Sequence, residues 1–318
     1  MGYLFIKTIF TWASHRFGYV SHTPPMIVPK RSYCGRIVGL LAFAGVLTGC
    51  TTKPETPVII SLPESKPAFT GLTIEQGPSS LGCEPRRHPV TILVLHHTAG
   101  SLPSSLDVLQ GKDPKHRVGV HYVVTDEAKP RVIRMVPENM AAFHAGKSIW
   151  GKLDGLNQHS IGIEIINYDG NVYPYSDAQT DIIFALCAEI IRRHDIKPWN
   201  VVAHSDIAVG RKIDPGSKFP WAKLAKLGIG ASPLPDELKE RIAHGHLASP
   251  AYFRRLLTDY GYAVGPDDAG LKLAVEAFQR HFRPAKIDGI IDVECTAILE
   301  CLVRRYRSPS YRSVPVRP

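Results

Sequence analysis

Three apolar, strand-like stretches of this 318-residue chain end on or are broken by side chains that can do chemistry. "VTILVLHHT" (90–98) closes with His96 and His97, "SIGIEII" (160–166) is interrupted by Glu164, and "NVVAHS" (200–205) delivers His204. The polar loop after it, "DIAVGRKIDPG" (206–216), carries Lys212 and Asp214. Strand ends are where α/β sheets gather their ligands. Two histidines and one carboxylate suit one zinc ion with a coordination position left for water. That donor set carries a single negative charge, so the ion stays electron-poor and draws its water towards a pKa of about 7.

Alternation limits which side chains can meet. Ile92, Val94 and His96 share one face of the first stretch, while Leu93, Leu95 and His97 share the other. One histidine of the pair therefore faces the site, and alternation does not say which. Glu164 shares a face with Gly162 and Ile166, so a carboxylate projects from an apolar surface. Burial would raise its pKa and a nearby cation would lower it. Asp206, two residues beyond His204, competes with Asp214 as the third ligand or serves as a helix cap. Taken singly, each residue has a plainer reading: a hydrogen-bonded core histidine, or a glutamate guarding a strand edge.

The elements that must position these groups alternate in type. "GVHYVVTD" and "RVIRMVPE" read as two further short strands. "SDAQTDIIFALCAEIIRRHDI" carries Ser176 or Asp177 as N-cap and a helical apolar stripe, which predicts a helix of about five turns. Strand, helix and strand in that order predict a parallel β-α-β unit. The expected fold class is α/β: a mixed, partly parallel central sheet flanked by helices, plus a small C-terminal three-helix domain. The last part rests on "SPAYFRRLLTDYGY", "DAGLKLAVEAFQRHF" and "DVECTAILECLVRR", which follow a Gly/Pro-rich break.

Net charge is +9, but the first 49 residues hold five of the 38 Lys/Arg and no acid, leaving 33 basic against 29 acidic residues. That mild excess, without a basic block, argues against a nucleic-acid partner. The basic N-terminus has its own explanation. "KRSYCGRIVGLLAFAGVLTGC" is a positive segment, an apolar run over 37–47, then small residues and Cys50. The run is too short for a permanent membrane span. "LTGC" resembles a bacterial lipobox, which implies cleavage before Cys50 and its lipidation; Met26 is the better start for such a signal. Cys83, Cys187, Cys295 and Cys301 have neither CxxC spacing nor the density of a disulfide framework.

Taken together, "VLHHTAG", "HAGKSIWGKLDGLNQHSIGIEIIN" and "NVVAHSDIAVGRKIDPGSKFPW" resemble the zinc N-acetylmuramoyl-L-alanine amidases of the type-2 amidase, or peptidoglycan-recognition-protein, superfamily, over roughly 85–228. The resemblance implies zinc ligands at His96, His204 and Asp214, and catalytic groups at Glu164 and Lys212. It also implies a muropeptide groove shaped by His144 and Asn157. His97 departs from the tyrosine frequent in relatives, and Val120 stands where some distant relatives carry a catalytic tyrosine. The implied reaction is hydrolysis of the amide between the lactyl group of N-acetylmuramic acid and L-Ala, with peptidoglycan or muropeptides as partners of a monomer. A non-catalytic peptidoglycan receptor on the same fold is the alternative; such receptors lose a zinc ligand. The only peptidase-like "HGH" lies at 244–246, away from any expected strand.

"LLTDYGY", "AVEAFQRHF" and "DGIIDVECTAIL" resemble a type-1 peptidoglycan-binding domain, without its usual Gly-Pro-Thr turn. The expected organisation is a signal peptide over 1–49, lipidated Cys50 and a Pro/Thr/Ser-rich tether over 50–84, and the amidase domain over 85–230. A linker (231–247), the binding helices (248–307) and a disordered tail (308–318) follow. The expected location is the cell envelope, lipid-anchored at the periplasmic face of the outer membrane.

Overall fold

The computed structural model describes residues 72–307, so the signal segment, Cys50, the expected tether up to residue 71 and the tail lie outside the described residues. In chain order the elements are β1 (Ile74–Gln76), β2 (Cys83–Pro85), β3 (Ile92–His97), α1 (Leu102–Leu109), β4 (Tyr122–Val124) and β5 (Val132–Arg134). They continue with β6 (Met140–Ala142), β7 (Ile149–Trp150), β8 (Leu153–Asp154), β9 (Ser160–Ile165), α2 (Asp177–His194) and β10 (Val201–Ala203). The helices α3 (His204–Ile207), α4 (Trp221–Lys226), α5 (Pro235–His244), α6 (Pro250–Tyr260), α7 (Asp268–Phe282) and α8 (Val293–Arg307) complete the chain.

The main sheet has the order β1-β5-β4-β9-β3-β10. β4, β9, β3 and β10 run parallel, and the β4–β5 pair is antiparallel. The sheet is mixed and partly parallel, as expected, and most of its strand pairs are parallel. β3 and β9 pair with His96 opposite Glu164, and β10 pairs with β3 so that Ala203 faces Leu95. His204, one residue on, therefore emerges level with His96. Register alone brings three of the candidate residues to one end of the sheet.

Each face of the sheet is covered. Leu93 and Leu95 pack with Ile161, Ile163 and Ile165 beneath Ile183, Leu186, Cys187 and Ile190 of α2. That helix begins at Ser176, whose hydroxyl accepts from Gln179 N–H at 3.1 Å, and its last turn holds Arg192, Arg193 and His194 where cations suit the helix dipole. Ile92, Val94 and Val202 instead share a core with Phe253 and Leu257 of α6, Phe278 of α7 and Leu299 of α8. The C-terminal helices are thus the second layer over the sheet.

Two expected boundaries are corrected. The tether does not run to residue 84, because Ile74–Gln76 pairs with β5 and Cys83–Pro85 pairs with β6. Three-residue strands with charged or proline residues are too short to display alternation. The linker over 231–247 is mostly α5, which carries Pro235 in its first turn and ends at Gly245 with φ +67°. Proline at a helix start loses no hydrogen bond, so a residue read as a breaker is the first of the helix. Among the described residues no helix is long and apolar enough to cross a membrane.

Candidate metal centre and active site

His96 is the penultimate residue of β3, and His204, expected at a strand end, is the first residue of the short helix α3. The chain then turns back, with Arg211 and Lys212 N–H both donating to Ala208 C=O. Ser205 N–H donates to Asp214 C=O at 3.0 Å, which fixes the returning strand of the loop beside His204. The three side chains converge. His96 Nδ1 lies 3.0 Å from His204 Nδ1 and 3.1 Å from Asp214 Oδ2, and His204 Nδ1 lies 3.0 Å from the same oxygen.

The surrounding bonds decide which atoms carry protons. Ser160 Oγ–H donates to Leu156 C=O at 2.7 Å, so the same oxygen accepts the Nε2–H of His144 at 3.1 Å. Burial, then the neighbouring His96, holds His144 well below the usual histidine range, so its ring is neutral and Nδ1 is a bare acceptor. That acceptor takes the Nε2–H of His96 at 3.0 Å. His204 Nε2–H donates to Ala145 C=O at 3.2 Å. Both Nδ1 lone pairs are therefore left facing the Asp214 carboxylate. Three buried acceptors within 3.1 Å of one another call for a cation. Their spacing approaches the about 3.3 Å edge of a tetrahedron with bonds of about 2.0–2.1 Å, so the residues fit zinc. Burial and the neighbouring His204 lower His96 to a pKa of about 4, which keeps its ring neutral and able to ligate.

A cavity of about 590 Å³ opens beside this triangle, lined by His204, Asp214, Glu164 and Lys212. Burial, reinforced by Asp214 and opposed by Lys212, raises Glu164 to a pKa of about 8. Its Oε2 is buried without a hydrogen-bond partner. Such an atom carries a desolvation cost unless something fills the cavity and bonds it. Exposed Val108, Tyr168 and Ile213 give the cavity an apolar rim.

The other expected residues fall as follows. His144 borders the cavity, but its two ring nitrogens are used by His96 and Ser160, so it orients a ligand residue. Gly162 makes room for it, since a Cβ there would lie 2.6 Å from His144 Cγ. Asn157 does not line the cavity; its Oδ1 accepts from His144 N–H and Ala145 N–H at 3.1 and 2.8 Å. The expectation that it shapes the groove is corrected to support of the 144–145 backbone. His97 is not part of the triangle; it lines the same cavity and accepts from Gly170 N–H at 3.3 Å. Val120 is buried in a hydrophobic cluster. Asp206 is no ligand and bonds Ala203 N–H at 2.8 Å. Phe278 and Gln279 of the "FQ" signal are fully buried, and Gln279 braces the 288–290 turn. Sequence reasoning missed Arg86. Although it sits in a surface-looking "EPRRHP", it is buried and donates to the carbonyls of Glu138, Gln158, Met140 and Ser160 beneath the site.

Residues 86–217 match the family model described as N-acetylmuramoyl-L-alanine amidase. The chain is 41% identical over 234 residues to N-acetylmuramoyl-L-alanine amidase AmiD of Escherichia coli K12, covering 68% of this chain and 83% of that protein. Among solved structures, E. coli AmiD in complex with anhydro-N-acetylmuramic acid-L-Ala-D-gamma-Glu-L-Lys is similar at a TM-score of 0.63 and 39% identity, covering 69% of this chain and 91% of that one. AmpDh3 from Pseudomonas aeruginosa, in complex with anhydromuramic pentapeptide, is similar at a TM-score of 0.65 and 36% identity, covering 69% and 93%.

Proposed function

Because the chain belongs to the N-acetylmuramoyl-L-alanine amidase family, we propose that it is a zinc-dependent hydrolase of anhydro-muropeptides and peptidoglycan stems. The bond cut is the amide between the lactyl carbonyl of the muramyl sugar and the nitrogen of L-Ala. The observation that carries the metal reading is the convergence of two bare Nδ1 lone pairs and the Asp214 carboxylate at 3.0–3.1 Å. When bound there, zinc supplies a Lewis acid that acidifies water and polarises the scissile carbonyl.

The chain's own groups then divide the work. Glu164 Oε2 accepts the proton of the attacking water; its raised pKa makes it able to hold that proton and deliver it to the departing L-Ala nitrogen. The Lys212 ammonium, on the cavity wall, donates to the oxyanion that develops on the lactyl oxygen. His144 keeps His96 in the ligating tautomer through its bonds to His96 and Ser160. The apolar rim receives the muramyl ring and the first stem residues. The assignment of anhydro-muropeptides as substrates is supported by the complexes of AmiD and AmpDh3 with such ligands.

The proposal includes a lipid anchor on Cys50 that holds the enzyme in the envelope, at the periplasmic face of the outer membrane, supported by the signal-like run before "GC". A wall-binding role for the C-terminal helices falls within it too, carried by side chains other than the buried Phe278 and Gln279. Mass spectrometry of digests of sacculi and of defined anhydro-muropeptides, with chelated and zinc-restored enzyme, tests the activity. Stem peptides with a free L-Ala amine, lost on chelation and regained with zinc, are expected. Cleavage undiminished by thorough chelation contradicts the zinc reading.

A further inference from the structure

Asp206 is fully buried, and three donors from two parts of the chain bond it. Its Oδ2 accepts from Ala203 N–H at 2.8 Å and from His281 Nδ1–H at 2.6 Å, and its Oδ1 accepts from Tyr262 O–H at 2.8 Å. Ala203 and Asp206 bracket His204. Tyr262 and His281 belong to the C-terminal helical layer. Neither donor is free to move. His281 stacks on Trp221 at 3.7 Å and on Phe282 at 4.0 Å, and Tyr262 meets Trp150 edge-on at 5.1 Å.

The helix that carries His204 has four residues, and a bond from Ala208 N–H to His204 C=O at 3.0 Å closes its end. A single turn does not hold its own shape, because helix nucleation is unfavourable. Its orientation comes from outside: from Ser205 N–H on Asp214 C=O, and from the Asp206 carboxylate gripped by His281 and Tyr262. We infer that the C-terminal helices are a positioning element of the metal site, in which His281 and Tyr262 act through Asp206 to set His204 against His96 and Asp214. The inference rests on the zinc reading proposed above.

Loss of either donor leaves a buried carboxylate oxygen short of a partner, and the turn relaxes. The His204 Nδ1 atom then leaves the 3.0 Å spacing to its two partners. The test uses the full chain and measures zinc affinity by competition with a chromophoric chelator, kcat and KM on an anhydro-muropeptide, and Tm. Tyr262→Phe removes one hydroxyl, His281→Ala removes the ring, and His281→Asn returns an N–H near Nδ1. Leu302→Ala, in the same core but outside the network, is the control for general loosening.

Tyr262→Phe and His281→Ala are expected to weaken zinc binding about 10-fold, the scale of outer-sphere partners of metal ligands. They lower kcat with KM unchanged, and His281→Asn recovers most of the loss. Leu302→Ala lowers Tm at least as far but leaves zinc affinity as in the wild type. Unchanged zinc affinity in Tyr262→Phe and His281→Ala overturns the inference, as does an equal loss in Leu302→Ala. A wild-type chain that binds no zinc overturns the metal reading and this inference together, which separates the two failures.

Discussion

Replacing Glu164 with Gln removes one ionisable group while keeping its shape, and the metal-free protein should register the change as a pH dependence. Burial and Asp214 raise Glu164 from the ordinary 4.5 to about 8. The folded state therefore binds more protons than the unfolded chain between those values, and stability falls as pH rises through that window. Between pH 5 and pH 8 the difference integrates to about 3.5 kcal/mol. A buried Gln amide has its own desolvation cost, but that cost does not vary with pH, so the change in the gap between the two proteins isolates the ionisation. With about 2–4 °C per kcal/mol for a domain of this size, chelated Glu164→Gln should gain about 10 °C in Tm relative to chelated wild type on going from pH 5 to pH 8. Zinc should narrow the gap by stabilising the Glu164 carboxylate, and turnover of the variant should fall about 10²–10⁴-fold with the loss of the proton acceptor. Thermal melts at the two pH values, with and without chelator, check this. A Tm gap that does not change with pH refutes the account of Glu164 as a desolvated carboxyl.

Lys212→Ala should leave zinc affinity unchanged and cut kcat about 10²-fold, as for loss of one oxyanion donor; coincident loss of zinc would reassign the lysine to the metal site. Asn157→Ala strips the acceptor from His144 and Ala145 N–H, so it should cost about 1–3 kcal/mol in denaturant melts, with KM for muropeptides nearly unchanged. A large KM increase at unchanged stability would restore the groove role first expected of it. Truncation after residue 231 uncovers the face of Ile92, Val94 and Val202, and the fragment should be insoluble or fail to melt cooperatively; a cooperative, zinc-binding fragment would contradict a shared core.

The sheet was legible because its strands are strongly apolar and β-branched and their register follows from ordinary parallel pairing. Glu164 announced itself by breaking an apolar face, and alternation correctly separated His96 from His97 without ranking them. The resemblance ranked them. What the sequence could not display is everything set by distant contacts. Nothing near Asp206 reveals that His281, 75 positions on, bonds it, so its reading as ligand or cap stayed open. The proton order running from Leu156 through Ser160 and His144 to His96 requires atomic positions, since each residue alone reads as an ordinary core polar group. α5 was hidden by the Gly/Pro-rich segment before it, and β1 and β2 by their brevity. The "FQ" pair lies in the stretch that resembles a peptidoglycan-binding domain, and its sequence does not reveal that the glutamine is a buried brace whose bonds close a local turn.

The central claim is that His96 Nδ1, His204 Nδ1 and Asp214 Oδ2 hold one zinc ion at the cavity floor. Crystallographic anomalous scattering at the zinc edge, on protein reloaded after chelation, tests it most directly. The account predicts one strong peak bonded to those three atoms at about 2.0–2.2 Å, with a fourth position open towards Glu164 and Lys212. A peak ligated through Nε2, a peak at other residues, or no peak at saturating zinc would contradict it.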